Sequence, residues 1–254
     1  MASVIAGTET VLYLYGMIGA EADVDDAGSG LGGARLETLV EGRVAAVFSP
    51  TGAGKVRPQR GNLAAHHRVL HDLARRHAVL PVVFGTVVES EDELREFVRD
   101  NHDALAGMLA RLAGKVEMGL KVYWDTQNIF EYFIATHQEL ETLRNRMFRH
   151  GRSATVEEKV ALGEAFASAL QQARLRHTGR VKEAIAPYCA EIRAVTPGEE
   201  QMIMKLACLV DKDRVGPWEE GIRRAASLFD DHYRFDYSGP WPPYNFADIQ
   251  TRLP

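Results

Sequence analysis

An α+β fold in two successive units is what this 254-residue sequence predicts. Three observations carry it. Apolar strands alternate with amphipathic helices as far as Trp124; long helical stretches take over after it; and the chain closes on a segment dense in proline and aromatic side chains. The expected division is an N-terminal α+β domain over residues 1–124, a C-terminal α+β domain over 125–236 (a helical hairpin with a small sheet), and a tail over 237–254. A chain of this length buries roughly 70–75% of its unfolded surface, so a full core needs no disulfide or metal staple.

Residues 1–10 read as a short lead into a strand, without the basic region of a signal peptide. Val11–Ile18 is aromatic and apolar, the pattern of a buried strand. Residues 19–34, with GSGLGG inside, predict a loop. Leu36–Val40 and Val44–Ser49 flank Glu41-Gly42, a hairpin in which glycine supplies the positive φ. A helix is expected over Asn62–Arg76, with Asn62 as N-cap and Leu63, Leu70 and Leu73 as its stripe. Val79–Val88 is so continuously apolar that it predicts an interior or parallel strand, with Pro81 marking a bulge or an edge. Ser90 and Glu93 form a capping box for a helix carrying Leu94, Phe97 and Val98, and a further short helix covers Ala104–Leu112. Val116–Tyr123 alternates, which predicts a strand with Val116, Met118, Leu120 and Val122 on one face.

Beyond Trp124, helices are expected over Asn128–Phe148 and Thr155–Arg176, broken at His150-Gly151. The first carries Ile129, Phe133, Leu140, Leu143 and Met147; the second opens on a Thr155/Glu158 capping box and carries Val156, Val160, Phe166 and Leu170. Strands near Ile192–Val195 and Met202–Val210 follow. Pro217 is placed at the first position of a helix whose buried face is Trp218, Ile222, Ala225 and Phe229. His232–Tyr237 alternates Tyr233, Phe235 and Tyr237 against polar neighbours.

The net charge of -5 is mild, and residues 1–125 hold 13 basic and 17 acidic side chains, so neither half is a basic module suited to nucleic acid. Two cysteines, Cys189 and Cys208, make no disulfide framework and fit a reducing cytoplasm. No run approaches the 18 or so apolar residues of a membrane span.

Four histidines crowd one segment: His66, His67, His71 and His77. His67 and His71 stand at i and i+4, the spacing by which one helix face offers two imidazoles to a metal. The sequence nominates no further ligands, and His66 and His77 project toward the leucine stripe, so packed core or boundary histidines explain the segment better. Gly52-Ala53-Gly54-Lys55 lacks the earlier glycine and the following Ser or Thr of a phosphate loop, since Ser49 and Val56 stand there. No nucleophile motif appears, and Asp211, Asp213, Asp230 and Asp231 read as solvated turn acids. Two basic clusters, Arg144/Arg146/Arg149/Arg152 and Arg174/Arg176/Arg180/Lys182, read as solvated helix faces. No cofactor is expected. The end of the chain is more informative. Tyr237, Pro240, Trp241, Pro242, Pro243, Tyr244 and Phe246 cannot form a helix or a central strand, and aromatic area on that scale demands a surface. The tail therefore packs across its own chain or docks into a partner, and its position directly after a strand favours the first.

The stretch YSGPWPPYNF closely resembles the closing motif of the gas vesicle GvpF/GvpL family. LYLYGMI, HHRVLHDLARRHAVLPVVFGTVVESEDELREF, VEMGLKVYWD and MKLACLVDKDRVGPWEE resemble the same family in the same order. The resemblance implies two α+β domains, the first a modified ferredoxin-like sandwich, followed by the tail. It also implies a minor vesicle component, not an enzyme, that binds the shell protein GvpA, limits its aggregation and helps to start the vesicle. The alternative is a metal-binding enzyme centred on His66–His77.

Overall fold

The computed structural model describes residues 11–52, 54–148 and 154–247. The lead over 1–10, Ala53, the break at His150-Gly151 and the arginines 149 and 152 lie outside them. The chain forms two compact units. The first runs to Glu117 and takes in the chain again from Gly239; the second is Met118–Ser238.

The first unit is built on strand β1 (Val11–Gly19), whose interior residues are all buried. It lies between β3 (Val44–Thr51) on one side and β4 (Val79–Pro81) and β5 (Val87–Val88) on the other, with β2 (Glu37–Glu41) outermost beyond β3. All these pairings are antiparallel. The β1–β3 register slips between Leu14 and Gly16, and this bulge switches the parity of the strand. Tyr13, Tyr15 and Ile18 consequently share one core with Val69, Leu70 and Leu73 of helix α1 (Arg60–Arg76). Leu12, Leu14 and Met17, equally buried, fall to the side of α2 (Glu91–Asp100) and α3 (His102–Leu112). The hairpin turn is the expected one: Gly42 has φ 58, and the Arg43 amide donates to His102 Nε2 at 3.1 Å. The Ser90 hydroxyl accepts from Glu93 N, while the Glu93 carboxylate reaches back to Glu89 N.

Two elements differ from expectation. Val79–Val88 is not one interior or parallel strand but two short antiparallel edge pieces. Between them the chain turns outward at Gly85, where φ is 94, and leaves Val83 on the surface. Its apolar side chains are accommodated by a folded-over edge rather than by neighbours on both sides. Helix α1 starts two residues before Asn62; Gln59 occupies the cap position, and the Asn62 side chain instead donates to the Arg57 carbonyl.

The second unit places β8 (Met202–Asp211) between β7 (Glu191–Val195) and β6 (Lys115–Trp124), with β9 (Tyr233–Trp241) on the far edge. β8 is buried almost throughout, which accounts for an apolar run interrupted only at Lys205. Over the sheet lies α6 (Val156–Ile185), capped by the reciprocal Thr155/Glu158 box and running nine residues past the end that the sequence predicts. Its buried residues are Leu162, Leu170, Ala173, Val181 and Ile185; Val156 and Val160 face outward. The stretch expected as one helix before it divides at His137 into α4 (Ile129–Thr136) and α5 (Gln138–Met147). Helix α7 (Val215–Ala226) begins two residues before Pro217, whose missing amide still costs nothing in a first turn. Trp218, Ile222 and Ala225 are buried as expected, with Gly221 against the Tyr188 ring. Arg174 and Arg180 are not simply solvated: Arg174 donates to the Met202 and Glu200 carbonyls and lies over Trp124, and Arg180 lies over Phe229.

The tightest backbone approach is at Gly16, where an added Cβ would lie 2.6 Å from the Leu80 carbonyl oxygen. Both partners are backbone, so the clash is relieved only by parting β1 from β4. Gly16→Ala is expected to destabilise by about 1–3 kcal/mol, read as a lowered melting temperature. Gly19→Ala, with nothing within 4 Å, is the matched control and should leave melting unchanged.

Candidate functional site

Two of the sequence's candidate segments come together in the first unit. Helix α1 carries the histidines, and the tail returns to it from β9. His67, on the outer face of α1, places Nδ1 3.1 Å from the Tyr244 hydroxyl, with the rings 6.0 Å apart and close to perpendicular. His71 turns instead to Asp72 at 3.4 Å on the exposed face, and His77 ends the helix with its amide on the Leu73 carbonyl. Among the described residues, no three His, Cys, Asp or Glu side chains gather in a metal-holding group.

His66 is buried at 1% exposure among Tyr13, Tyr15 and Phe84. Its Nδ1 lies 3.0 Å from the Tyr13 hydroxyl, which also accepts from Gly85 N at 3.2 Å. Burial first, then the neighbouring His67, pushes the His66 pKa down to about 4, against a hydrogen bond to the Val82 backbone that favours the cation. Burial pushes Tyr13 up to about 12. Both groups are thus neutral near pH 7. The imidazole donates to Val82, and its bare Nδ1 accepts from the phenol.

The tail is held by polar and apolar contacts that the sequence did not single out. Glu117 on β6, only 6% exposed, accepts from the Asn245 amide at 2.8 Å and from the Asn245 side-chain nitrogen at 2.5 Å. Arg111 of α3 donates to the Phe246 carbonyl at 2.7 Å. The Pro243 carbonyl accepts from Phe246 N and Ala247 N, which folds the end into a turn. Phe246 is wholly buried, as are Pro242 and Pro243. Trp241 and Tyr244 remain 47% and 36% exposed. The buried anchor of the tail is Phe246, not the larger Trp241. Tyr244 has its pKa pushed up to about 12 by burial and by the Glu117 carboxylate nearby. Upstream, in the second unit, Tyr237 packs edge-on to Trp218 at 5.7 Å and is half exposed. Tyr237 and Pro240 lie within β9, which extends to Trp241; proline is tolerated there because β9 is an edge strand. A signal for Glu117 did exist, as a carboxylate inside an otherwise apolar alternation, but its partner stands 128 residues away.

The remaining candidates are placed as follows. Gly52 and Lys55 line a shallow cleft of about 450 Å³ with Arg57 and Asn62, in the loop before α1. Asp230 caps the turn into β9 by accepting from His232 N at 2.9 Å.

The pH dependence follows from His66. Its folded pKa is below the unfolded value of 6.5, so the unfolded chain takes up the proton first as pH falls. The stabilisation is complete above about pH 6.5 and is lost on the way down to pH 4, amounting to roughly 3 kcal/mol at full burial. His177 in the second unit, also pushed down to about 4, adds to the same slope. His66→Gln, which keeps a donor and an acceptor, is expected to flatten the His66 share when denaturant stability is compared at pH 7 and pH 4.5.

With this geometry in place, comparison with known proteins is decisive. The family model described as gas vesicle synthesis protein GvpL/GvpF matches residues 11–248. Gas vesicle protein F of Streptomyces sp. (strain CB03234) is 30% identical over 215 residues, which cover 84% of this chain and 88% of that protein. Gas vesicle protein F of Dolichospermum flosaquae is 26% identical over 243 residues, 94% and 98% of the two chains. The crystal structure of GvpF from Anabaena sp. PCC7120 superposes with a TM-score of 0.83 over 94% of this chain and 99% of that one, at 24% identity, and so shares the fold. The chain belongs to the GvpL/GvpF family of gas vesicle synthesis proteins.

Proposed function

We propose that this protein is a cytoplasmic gas vesicle accessory component that binds the shell protein GvpA, limits its aggregation and assists nucleation of the vesicle, acting by contact and not by catalysis. A wall protein with a gas-facing apolar surface exposes that surface before assembly, and large exposed apolar patches aggregate. An accessory protein counters this by covering the patch until the wall takes it up.

The observation that carries this reading is the tail. Trp241 and Tyr244 are presented half exposed on a base fixed by buried Pro242, Pro243 and Phe246, by the Glu117–Asn245 pair and by Arg111. Large aromatic side chains on a stiff backbone offer apolar area with little conformational entropy left to lose. Tyr237 and Pro240 extend the candidate contact set along β9, the outermost strand of its sheet among the described residues, where a strand can be added. The alternative of a metal enzyme on His66–His77 is less favoured, because among the described residues no three His, Cys, Asp or Glu side chains gather in a metal-holding group.

The test separates anchor from contact. Trp241→Ala is expected to weaken GvpA capture at least tenfold, in a pull-down and in light scattering of diluted GvpA, while shifting the melting temperature little. Phe246→Ala removes a fully buried ring and should cost about 3–5 kcal/mol of stability, with binding lost as a consequence. Undiminished GvpA capture by Trp241→Ala at unchanged stability would sink the tail as the binding surface.

A further inference from the structure

Helix α6 has a second face that the core of its unit does not cover. Its buried residues, Leu162, Leu170, Ala173, Val181 and Ile185, lie on one side. At about 100° per residue, Val156, Val160, Gly163, Ala167, Gln171 and Leu175 fall within an arc of about 120° beside it. All six are exposed, and Val156, Val160 and Leu175 by 72%, 53% and 65%. The row runs about 29 Å along the helix at 1.5 Å per residue. Apolar residues scattered singly need no explanation; a row of them along one helix marks a contact surface.

Charge and shape both say what covers this row. Residues 156–164 hold Glu157, Glu158 and Glu164 against Lys159 alone, and residues 165–173 hold no charge. Residues 174–185 hold Arg174, Arg176, Arg180 and Lys182 against Glu183 alone. The helix is therefore acidic at its start, neutral in the middle and basic toward its end. Such a helix complements an antiparallel copy of itself, because a two-fold axis sets each acidic end against the other's basic end. As to shape, Leu175 stands out from the row, whereas Gly163 leaves a gap in it: a Cβ built there meets nothing within 4 Å. A two-fold axis level with Ala169, midway between them in the uncharged stretch, lays Leu175 of each copy over Gly163 of the other. The short Ala167 near the axis allows the helices a close approach. The same register brings Lys182 level with Val156 and Glu157 of the other copy. Beside Leu175 the face opens into a groove of about 760 Å³, walled by Arg174 and Thr178 of α6 and by the turn over residues 196–200. In this register the groove takes the partner's Val160, opposite Thr178.

We propose that this face of α6 pairs with the same face of a second copy of the chain, antiparallel and two-fold symmetric, with Leu175 seated on Gly163 and Glu157 facing Lys182. A single helix face is small beside the interfaces of obligate dimers, so the pairing is reversible and depends on concentration. Salt weakens it, because the charged pairs lie at the solvent-exposed ends of the contact. The pairing rests on second-unit residues alone, and it holds or fails independently of GvpA binding.

The experiment is sedimentation velocity on the purified full chain over a range of concentrations, with the melting temperature of every variant recorded in dilute solution. The wild type is expected to pass from monomer to dimer as concentration rises, with less dimer at high salt. Leu175→Glu should raise the dissociation constant at least about tenfold at unchanged melting; if that variant melts early, Leu175→Gln reads the same contact. Glu157→Lys and Lys182→Glu should each weaken the dimer when alone, since each sets like charges together. Mixed in equal amounts, the two variants should form a heterodimer, because both end pairs then join opposite charges. A chain that stays monomeric throughout overturns the proposal, as does a dimer that Leu175→Glu leaves intact, or a mixture of the two charge variants that remains monomeric. A monomeric chain whose GvpA capture is lost in Leu175→Glu overturns it too, and assigns the face to GvpA.

Discussion

A strand buried on both faces can carry tyrosines only if their hydroxyls find partners, because an unsatisfied polar group in the core costs on the order of 1–3 kcal/mol. Strand β1 carries two, Tyr13 and Tyr15, at zero exposure. Their partners organise the first unit. Tyr13 reaches His66 on α1 and Gly85 in the turn between β4 and β5; Tyr15 reaches Ser49 on β3 and the Leu31 amide in the glycine-rich loop. One helix, one neighbouring strand, one edge turn and one long loop are thereby fixed to a single strand. The requirement also explains a glycine: a Cβ on Gly30 would lie 2.3 Å from the Tyr15 hydroxyl, in the space that the phenol needs.

What could be read from the sequence was whatever is decided locally. The Thr155/Glu158 capping box, the glycine at the β2–β3 turn and the Trp218, Ile222 and Ala225 face of α7 each depend on residues within one or two turns of one another, and each appears as expected. The Ser90/Glu93 box forms only its Ser90 half, since Glu93 reaches Glu89 N, and Phe229 lies half-buried beyond the end of α7. What could not be read was decided by distant partners. The run Val79–Val88 has the composition of a central strand, yet β1 has room beside it only for two short pieces, and the remainder turns away at Gly85. Val156 and Val160 have helical spacing with Leu170, yet both face outward, and the buried residues of α6 begin at Leu162. The split at His137 is local, with its imidazole stacked on Phe133 one turn back at 4.7 Å, but no Gly or Pro marks it in the sequence.

The tail shows the same division. Its composition announces a surface-bound segment, and it is one. Which aromatic is buried was not legible, because the choice is made by Glu117 and Arg111, far away in the chain. A buried carboxylate must be hydrogen-bonded, and Asn245 supplies both a backbone and a side-chain donor. Seating Asn245 there carries Phe246 inward with its carbonyl on Arg111. Trp241, four residues earlier on the edge strand, is left at the surface. The half-exposed indole therefore follows from satisfying one carboxylate.

Shifted acid–base groups gather at functional sites in many enzymes, so their pattern here bears on how the protein works. A general acid or base is most useful with a pKa near the working pH. His66 moves down to about 4, and Tyr13 and Tyr244 move up to about 12. Every one of these displacements is led by burial, and every one moves the pKa further from pH 7 and holds the group in its uncharged form. Such groups do not exchange protons with a substrate at pH 7. They hold fixed hydrogen bonds between elements far apart in sequence, as Tyr13 does to His66 and Tyr244 does to His67. A fold that commits these groups to fixed hydrogen bonds beneath an aromatic tail holds that tail on a rigid base.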